Sequence, residues 1–291
     1  MKPVHALVAA IMDGAGAPVL LVDGAQSPHT FALKPSAARA IAQADIFIRV
    51  SPSLEPFTAR VVENLPPTVT LLTLVGAPGI HVIAQRRGGT FEAHDHHDND
   101  MHGDHEQHAG DGDADRAGID GHIWLDPENA KAIVAEVSKV LADRFPADAE
   151  RFRTNAAALL TRLASLDGEL AQSLLPARGK PFIVFHDAYQ YFETRFGVSA
   201  AGSVTISPEV QPSAKRLTEV RQKVFALGAV CVFAEPGFQP ALVAAVTEGT
   251  EAKTGTLDPE GLALQPGPEL YFELMYNLAR SMLDCFSIGP K

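Results

Sequence analysis

Apolar residues at Val4, Leu7, Val8, Ile11 and Met12 recur three and four apart, which predicts a helix at the start of the chain. Short β-rich runs then alternate with longer stretches of helical period. Pro18–Val22, Asp45–Val50 and Val69–Leu74 read as strands in the first half, and Pro181–Phe185, Val198–Ile206, Ala229–Ala234 and Thr254–Leu257 in the second. Helical patterns fall at 35–44, 54–64, 127–144, 188–196, 212–226, 240–248 and 269–284, several opening on a proline or a Pro–Ser start signal. This alternation predicts parallel sheets covered by helices. Between the two strand groups, Phe152, Ala156, Leu159, Leu160, Leu163, Leu166, Leu170 and Leu174 keep helical period from Pro146 to Leu175, a rod of roughly 45 Å.

The expected architecture is therefore α/β: two parallel-sheet lobes joined by one long rigid helix, with any ligand site between them. Residues 1–145 form the N-terminal lobe, 146–175 the linking helix and 176–291 the C-terminal lobe. An α/β domain normally opens on a strand, and here a helix comes first. We therefore expect a chain shortened relative to its natural precursor, lacking an export signal and a first strand.

The 291 residues suffice for two lobes of ordinary size. No apolar run approaches membrane-spanning length. The net charge of −11 is concentrated: residues 91–120 hold ten carboxylates against one base, Arg116. The remainder is close to neutral and has no basic stripe for nucleic acid and no polybasic segment for a membrane. Interleaved with those acids are six of the eleven histidines: His94, His96, His97, His102, His105 and His108. Imidazole and carboxylate together take divalent transition metals, so this tract reads as a disordered, metal-collecting loop of weak auxiliary sites. An acidic solvated loop is the plainer alternative.

Three further histidines have distinctive settings. His29 follows the run 18–22, His122 stands in Gly-His-Ile-Trp-Leu-Asp-Pro before a helix, and His186 ends a strand in Phe-His-Asp-Ala-Tyr. Asp258 and Glu235 also follow strands. Ligands of open α/β sheets bind at the carboxyl ends of strands. Three imidazoles with one carboxylate or water satisfy tetrahedral zinc, and neutral imidazoles would lose the metal as pH falls through roughly 6.5. Trp124 is expected to pack. Asp187 reads either as a partner orienting the His186 ring or as a helix N-cap, and Glu209 as a solvated carboxylate or a partner contact. Cys231 and Cys285 are either two buried thiols or one bridge closing a loop of about 55 residues.

At these residues the chain resembles the zinc-specific solute-binding proteins of bacterial high-affinity zinc ABC importers, the ZnuA type of the cluster A-I family. The resemblance rests on Ser-Pro-His-Thr-Phe-Ala-Leu-Lys-Pro-Ser, the acidic His-rich loop, His-Ile-Trp-Leu-Asp-Pro and Phe-His-Asp-Ala-Tyr-Gln-Tyr-Phe-Glu. It continues with Ile-Ser-Pro-Glu-Val-Gln-Pro, Cys-Val-Phe-Ala-Glu-Pro and Gly-Thr-Leu-Asp-Pro, in order over nearly the whole chain. It implies Zn²⁺ held between two lobes by His29, His122 and His186, with Asp258 as fourth ligand, and Glu235 and Asp187 as candidates behind them. Manganese-binding relatives usually carry a carboxylate at the position of His186. Some relatives have Glu immediately before the first histidine, where this chain has Pro28.

The cysteine pair matches a bridge of zinc-type members and implies an oxidising compartment, here the periplasm. The implied partners are a membrane permease and a periplasmic zinc chaperone meeting the His-rich loop, with no nucleic acid, and the chain is expected to be a monomer. Two other classes remain open from the residues alone: a zinc hydrolase, although no His-Glu-x-x-His motif is present, and a metal buffer acting through the loop.

Overall fold

The computed structural model describes residues 1–24, 26–86, 118–205 and 211–287. The loop histidines 94–108 and Glu209 lie outside them. The expected opening helix forms as α1 (Lys2–Ile11), with Pro3 in its first turn, where a missing N–H leaves no bond unmade. α2 (Pro35–Ala42), β1 (Ile46–Arg49), α3 (Ala59–Glu63) and β2 (Thr70–Thr73) follow. β1 and β2 pair in parallel, Ile46 opposite Thr70 and Arg49 opposite Thr73.

The run 18–22, expected as a strand, is not one. Together with Val4, Val8, Ile46 and Phe47 it lines a cavity of about 480 Å³. It pairs with no strand among the described residues, and an unpaired segment gains no ladder. Pro18 also lacks one of the donors.

α4 (Pro127–Arg144) has the bounds its sequence pattern gave, started by the Asp126 carboxylate accepting the Glu128 N–H at 2.9 Å. After a single 3₁₀ turn comes α5 (Ala149–Ser173), 25 residues and so roughly 37 Å long. Its buried stripe is Phe152, Ala156, Leu159, Leu163, Leu166 and Leu170. The C-terminal part then alternates strictly: β3 (Phe182–Val184), α6 (Gln190–Phe196), β4 (Ala200–Ser203), α7 (Ala214–Leu227), β5 (Cys231–Ala234), α8 (Pro240–Thr247), β6 (Lys253–Thr256) and α9 (Leu270–Ser287). Its four strands are all parallel, in the order β4-β3-β5-β6. Of the two readings of the cysteines, the bridge is present: Cys231 in β5 is bonded to Cys285 in α9, Cα–Cα 6.3 Å.

One apolar core runs through both halves, from Leu7 and Ile11 past Trp124, Val137 and Leu163 to Phe182, Phe233 and Tyr271. α5 packs against α1, α4, α6 and α9. Splaying the two sheets apart would expose this shared core, at about 1.5–3 kcal/mol for each large aliphatic side chain. The connection is therefore stiff, and the residues at its two sides keep their spacing. No helix among the described residues is long and apolar enough to cross a membrane.

Candidate metal centre

His29 lies in the turn 28–30, where the Thr30 N–H donates to the Ser27 carbonyl at 3.2 Å. His122 heads the 3₁₀ turn Ile123–Leu125 that leads into α4. The preceding Gly121 is required by space, since a Cβ there would stand 2.9 Å from the Cβ of Leu54. His186 lies just past the carboxyl end of β3. Thus two imidazoles come from before α5 and one from after it.

Their Nε2 atoms converge. His122 Nε2 is 3.3 Å from that of His29 and 3.4 Å from that of His186, and one ring nitrogen from each of the three lies within 4.8 Å of the others. A tetrahedron with Zn–N bonds of 2.0–2.1 Å has an edge of about 3.3 Å. The two shorter separations are those of zinc ligands already in place.

The outer ring nitrogens explain why the rings face inward. His122 Nδ1 is 2.7 Å from Asp120 Oδ1, whose carboxylate also accepts the His122 N–H at 3.0 Å and the Gln190 side-chain N–H at 3.0 Å. His186 Nδ1 is 2.6 Å from Glu235 Oε2, while Glu235 Oε1 accepts the His186 N–H at 3.2 Å and the Tyr189 hydroxyl at 3.1 Å. An ionised carboxylate can only accept, so each Nδ1 donates and each Nε2 is left with the lone pair that binds metal. Lone pairs facing one another at such distances are favourable only with a cation among them, a proton or a metal ion.

Burial alone would lower the His186 pKa. The ion pair with Glu235, helped by Glu260 and Asp187, instead raises it to about 9. Burial raises Glu260 to about 7 against the attraction of His186 and the hydrogen bond from Ser27. Burial also raises Asp187 to about 7, although Arg86 opposes it.

The remaining sequence candidates take up different positions. Glu235 stands behind His186 as described. Asp187 neither touches the ring nor caps α6, whose N-cap residue is Tyr189; its Oδ1 accepts from the Arg86 guanidinium at 3.0 Å, and Arg86 also clamps Glu193. Trp124 is fully buried, donating to the Pro259 carbonyl at 2.8 Å, with its ring 5.3 Å from that of His122.

Asp258 is not gathered with the histidines. Its Oδ1 and Oδ2 accept the Leu262 and Ala263 N–H groups, each at 2.9 Å, closing the turn after β6. The carboxylate that does approach is Glu260, with Oε1 4.0 Å from His29 Nε2. Sequence reasoning missed it, and it missed Asp120 by counting it among the loop acids. Asp120 stands two residues before His122 in Ile-Asp-Gly-His, and that spacing was the available signal.

Comparisons with known proteins show the family. Residues 1–285 match the family model of the zinc-uptake complex component A, periplasmic (ZnuA). The chain is 44% identical to the high-affinity zinc uptake system protein ZnuA of Brucella suis, over 99% of this chain and 90% of that protein. It is 38% identical to the protein of the same description from Paracoccus denitrificans, over 97% and 89%. Among solved structures, one described as the crystal structure of ZnuA has the same fold, with a TM-score of 0.78 and 21% identity over 98% of this chain and 96% of that one.

Proposed function

The chain belongs to the ZnuA family of periplasmic zinc-uptake components, and from that premise we propose that it captures Zn²⁺ between its two lobes on His29, His122 and His186 and passes it to the membrane permease of an ABC importer. The observation that carries this reading is the convergence of three Nε2 atoms at 3.3 and 3.4 Å with two of the rings locked from behind by carboxylates. All-imidazole ligation suits zinc, whereas manganese and magnesium sites favour oxygen donors.

The protein works as a carrier and not as an enzyme. Asp120 and Glu235 already accept from ligand imidazoles, so neither is available as the general base a zinc hydrolase needs. The Cys231–Cys285 bridge suits the oxidising periplasm. The working division is a lobe of residues 1–145, a linking helix 146–175 and a lobe of residues 176–291, acting as a monomer. His94, His96, His97, His102, His105 and His108 supply auxiliary sites of lower affinity, open to a periplasmic zinc chaperone. Any ordering of these ligands as metal binds costs free energy, which weakens each site relative to the preformed one.

A competition titration of the intact protein and of a loop-deleted variant tests this. One tight zinc equivalent should survive deletion while weaker equivalents disappear. Loss of the tight equivalent on deletion would place the primary site in the loop and make the protein a buffer.

A further inference from the structure

Two buried carboxylates that follow α5 in the chain share one cation that precedes it. Arg86 Nη1 donates to Asp187 Oδ1 at 3.0 Å and to Glu193 Oε1 at 3.2 Å, and its Nη2 donates to Glu193 Oε2 at 2.7 Å. The two acid side chains are only 5% and 4% exposed. Taking such charges out of water costs free energy that a well-packed apolar trio would not. A buried ion cluster is therefore weak support for a fold by itself. What its bidentate geometry does supply is a fixed register between the segments it joins.

Both ends of this clasp are tied to ligand histidines. On the first side, Ala84 forms a bridge with Ile119, and the Asp120 N–H donates to the Ile83 carbonyl at 2.9 Å. Asp120 is the carboxylate that orients His122. On the other side, Asp187 directly follows His186, and Glu193 of α6 accepts the Ala200 N–H at the start of β4 at 3.1 Å. Tyr191 of α6 completes the joint. Its hydroxyl accepts the Ile83 N–H at 3.0 Å and donates to the Asp120 carbonyl at 2.8 Å. The 3.4 Å between the Nε2 atoms of His122 and His186 is thus a distance across this joint.

We propose that Arg86 is a positioning residue for zinc capture, a clasp that holds the His122 and His186 segments at the separation the metal needs. This rests on the three-histidine reading of the site. A preformed site needs its ligands held within about 0.5 Å of the productive geometry, and two segments so far apart in sequence need a fixed link to achieve that.

The charge of Arg86 makes the test decisive. Removing a cation and leaving two carboxylates uncompensated would, by Coulomb attraction alone, strengthen the binding of Zn²⁺. Loss of positioning weakens it, so the two effects have opposite signs. Zinc affinity of Arg86→Met, by chelator competition, should fall about tenfold or more, within the ~10–100-fold range of groups that orient ligands. Arg86→Lys restores the charge without the fork and should recover little of that loss. Glu193→Gln keeps an acceptor for the Ala200 N–H, breaks the same fork and should weaken binding in the same direction. The double variant Arg86→Met/Glu193→Gln should lose less than the product of the two single losses.

Thermal melts of the metal-free forms check folding. Arg86→Lys and Glu193→Gln keep the proposal open to a negative result even where Arg86→Met melts too low to titrate. Affinity unchanged or tighter in these variants, or single losses that multiply in the double variant, would overturn the proposal. Either result leaves the carrier reading intact so long as the wild type binds one tight equivalent that His122→Ala loses. A wild type without such an equivalent would refute the carrier reading, and the clasp with it.

Discussion

His122 and His186 are held alike, and His29 is held differently. Each of the first two is buried, with its backbone N–H and its Nδ1 given to one carboxylate, Asp120 or Glu235, which is in turn fixed by Gln190 or Tyr189. His29 is more exposed and rides on a turn in which the Ser27 hydroxyl accepts the His29 N–H and donates to Glu260. Two of the three ligands are thus held by the same device in the core the two lobes share, and the third is the most exposed of them.

The sharpest break in this comparison comes from removing single ligands. His122→Ala and His186→Ala should each weaken zinc binding by more than about 1,000-fold, well past the loss of an outer-shell partner. His29→Ala should cost less, because the oriented pair remains. Equal losses for all three, measured by competition with a chelator of known affinity, would erase the distinction between His29 and the two rings held by carboxylates.

Protons test the carboxylate-held rings next. His186 titrates at about 9 in the metal-free protein, above its ordinary 6.5. Below that value zinc must displace a proton from Nε2. Affinity should therefore rise roughly tenfold per pH unit up to about 9, so about 100-fold between pH 7 and 9, with proton release on binding. The same raised pKa stabilises the metal-free fold. That contribution is complete below pH 6.5 and is lost as pH rises through about 9, so metal-free protein should melt lower at pH 9 than at pH 6.5. Affinity that levels off near pH 6.5, as an ordinary imidazole would give, would show that Glu235 does not hold a proton on His186.

The smallest effect expected is that of the outer carboxylates. Asp120→Asn and Glu235→Gln should each cost about 10–100-fold in affinity by freeing the ring they orient. An affinity unchanged in either variant would mean that packing alone sets the ring.

The legible parts of this molecule are those whose cause is local. Proline starts and 3.6-residue periodicity located α4 and α5 within a few residues, and His122 and His186 stood out because each adjoins the end of an element. What escaped depends on contacts distant in sequence. The run 18–22 has strand composition, yet it pairs with neither β1 nor β2. Asp258 stands in Asp-Pro-Glu-Gly, which is also turn chemistry, and backbone N–H groups of that turn take both its oxygens. Glu260 comes beside His29, 231 residues earlier, only in the folded chain.

The central claim is that the three imidazoles form one preformed zinc site. Anomalous diffraction at the zinc edge, from crystals loaded with a single equivalent of zinc, tests it most directly. The account predicts one dominant peak at about 2.0–2.1 Å from the Nε2 atoms of His29, His122 and His186. A dominant peak anywhere else, with those three rings left without metal, would contradict it.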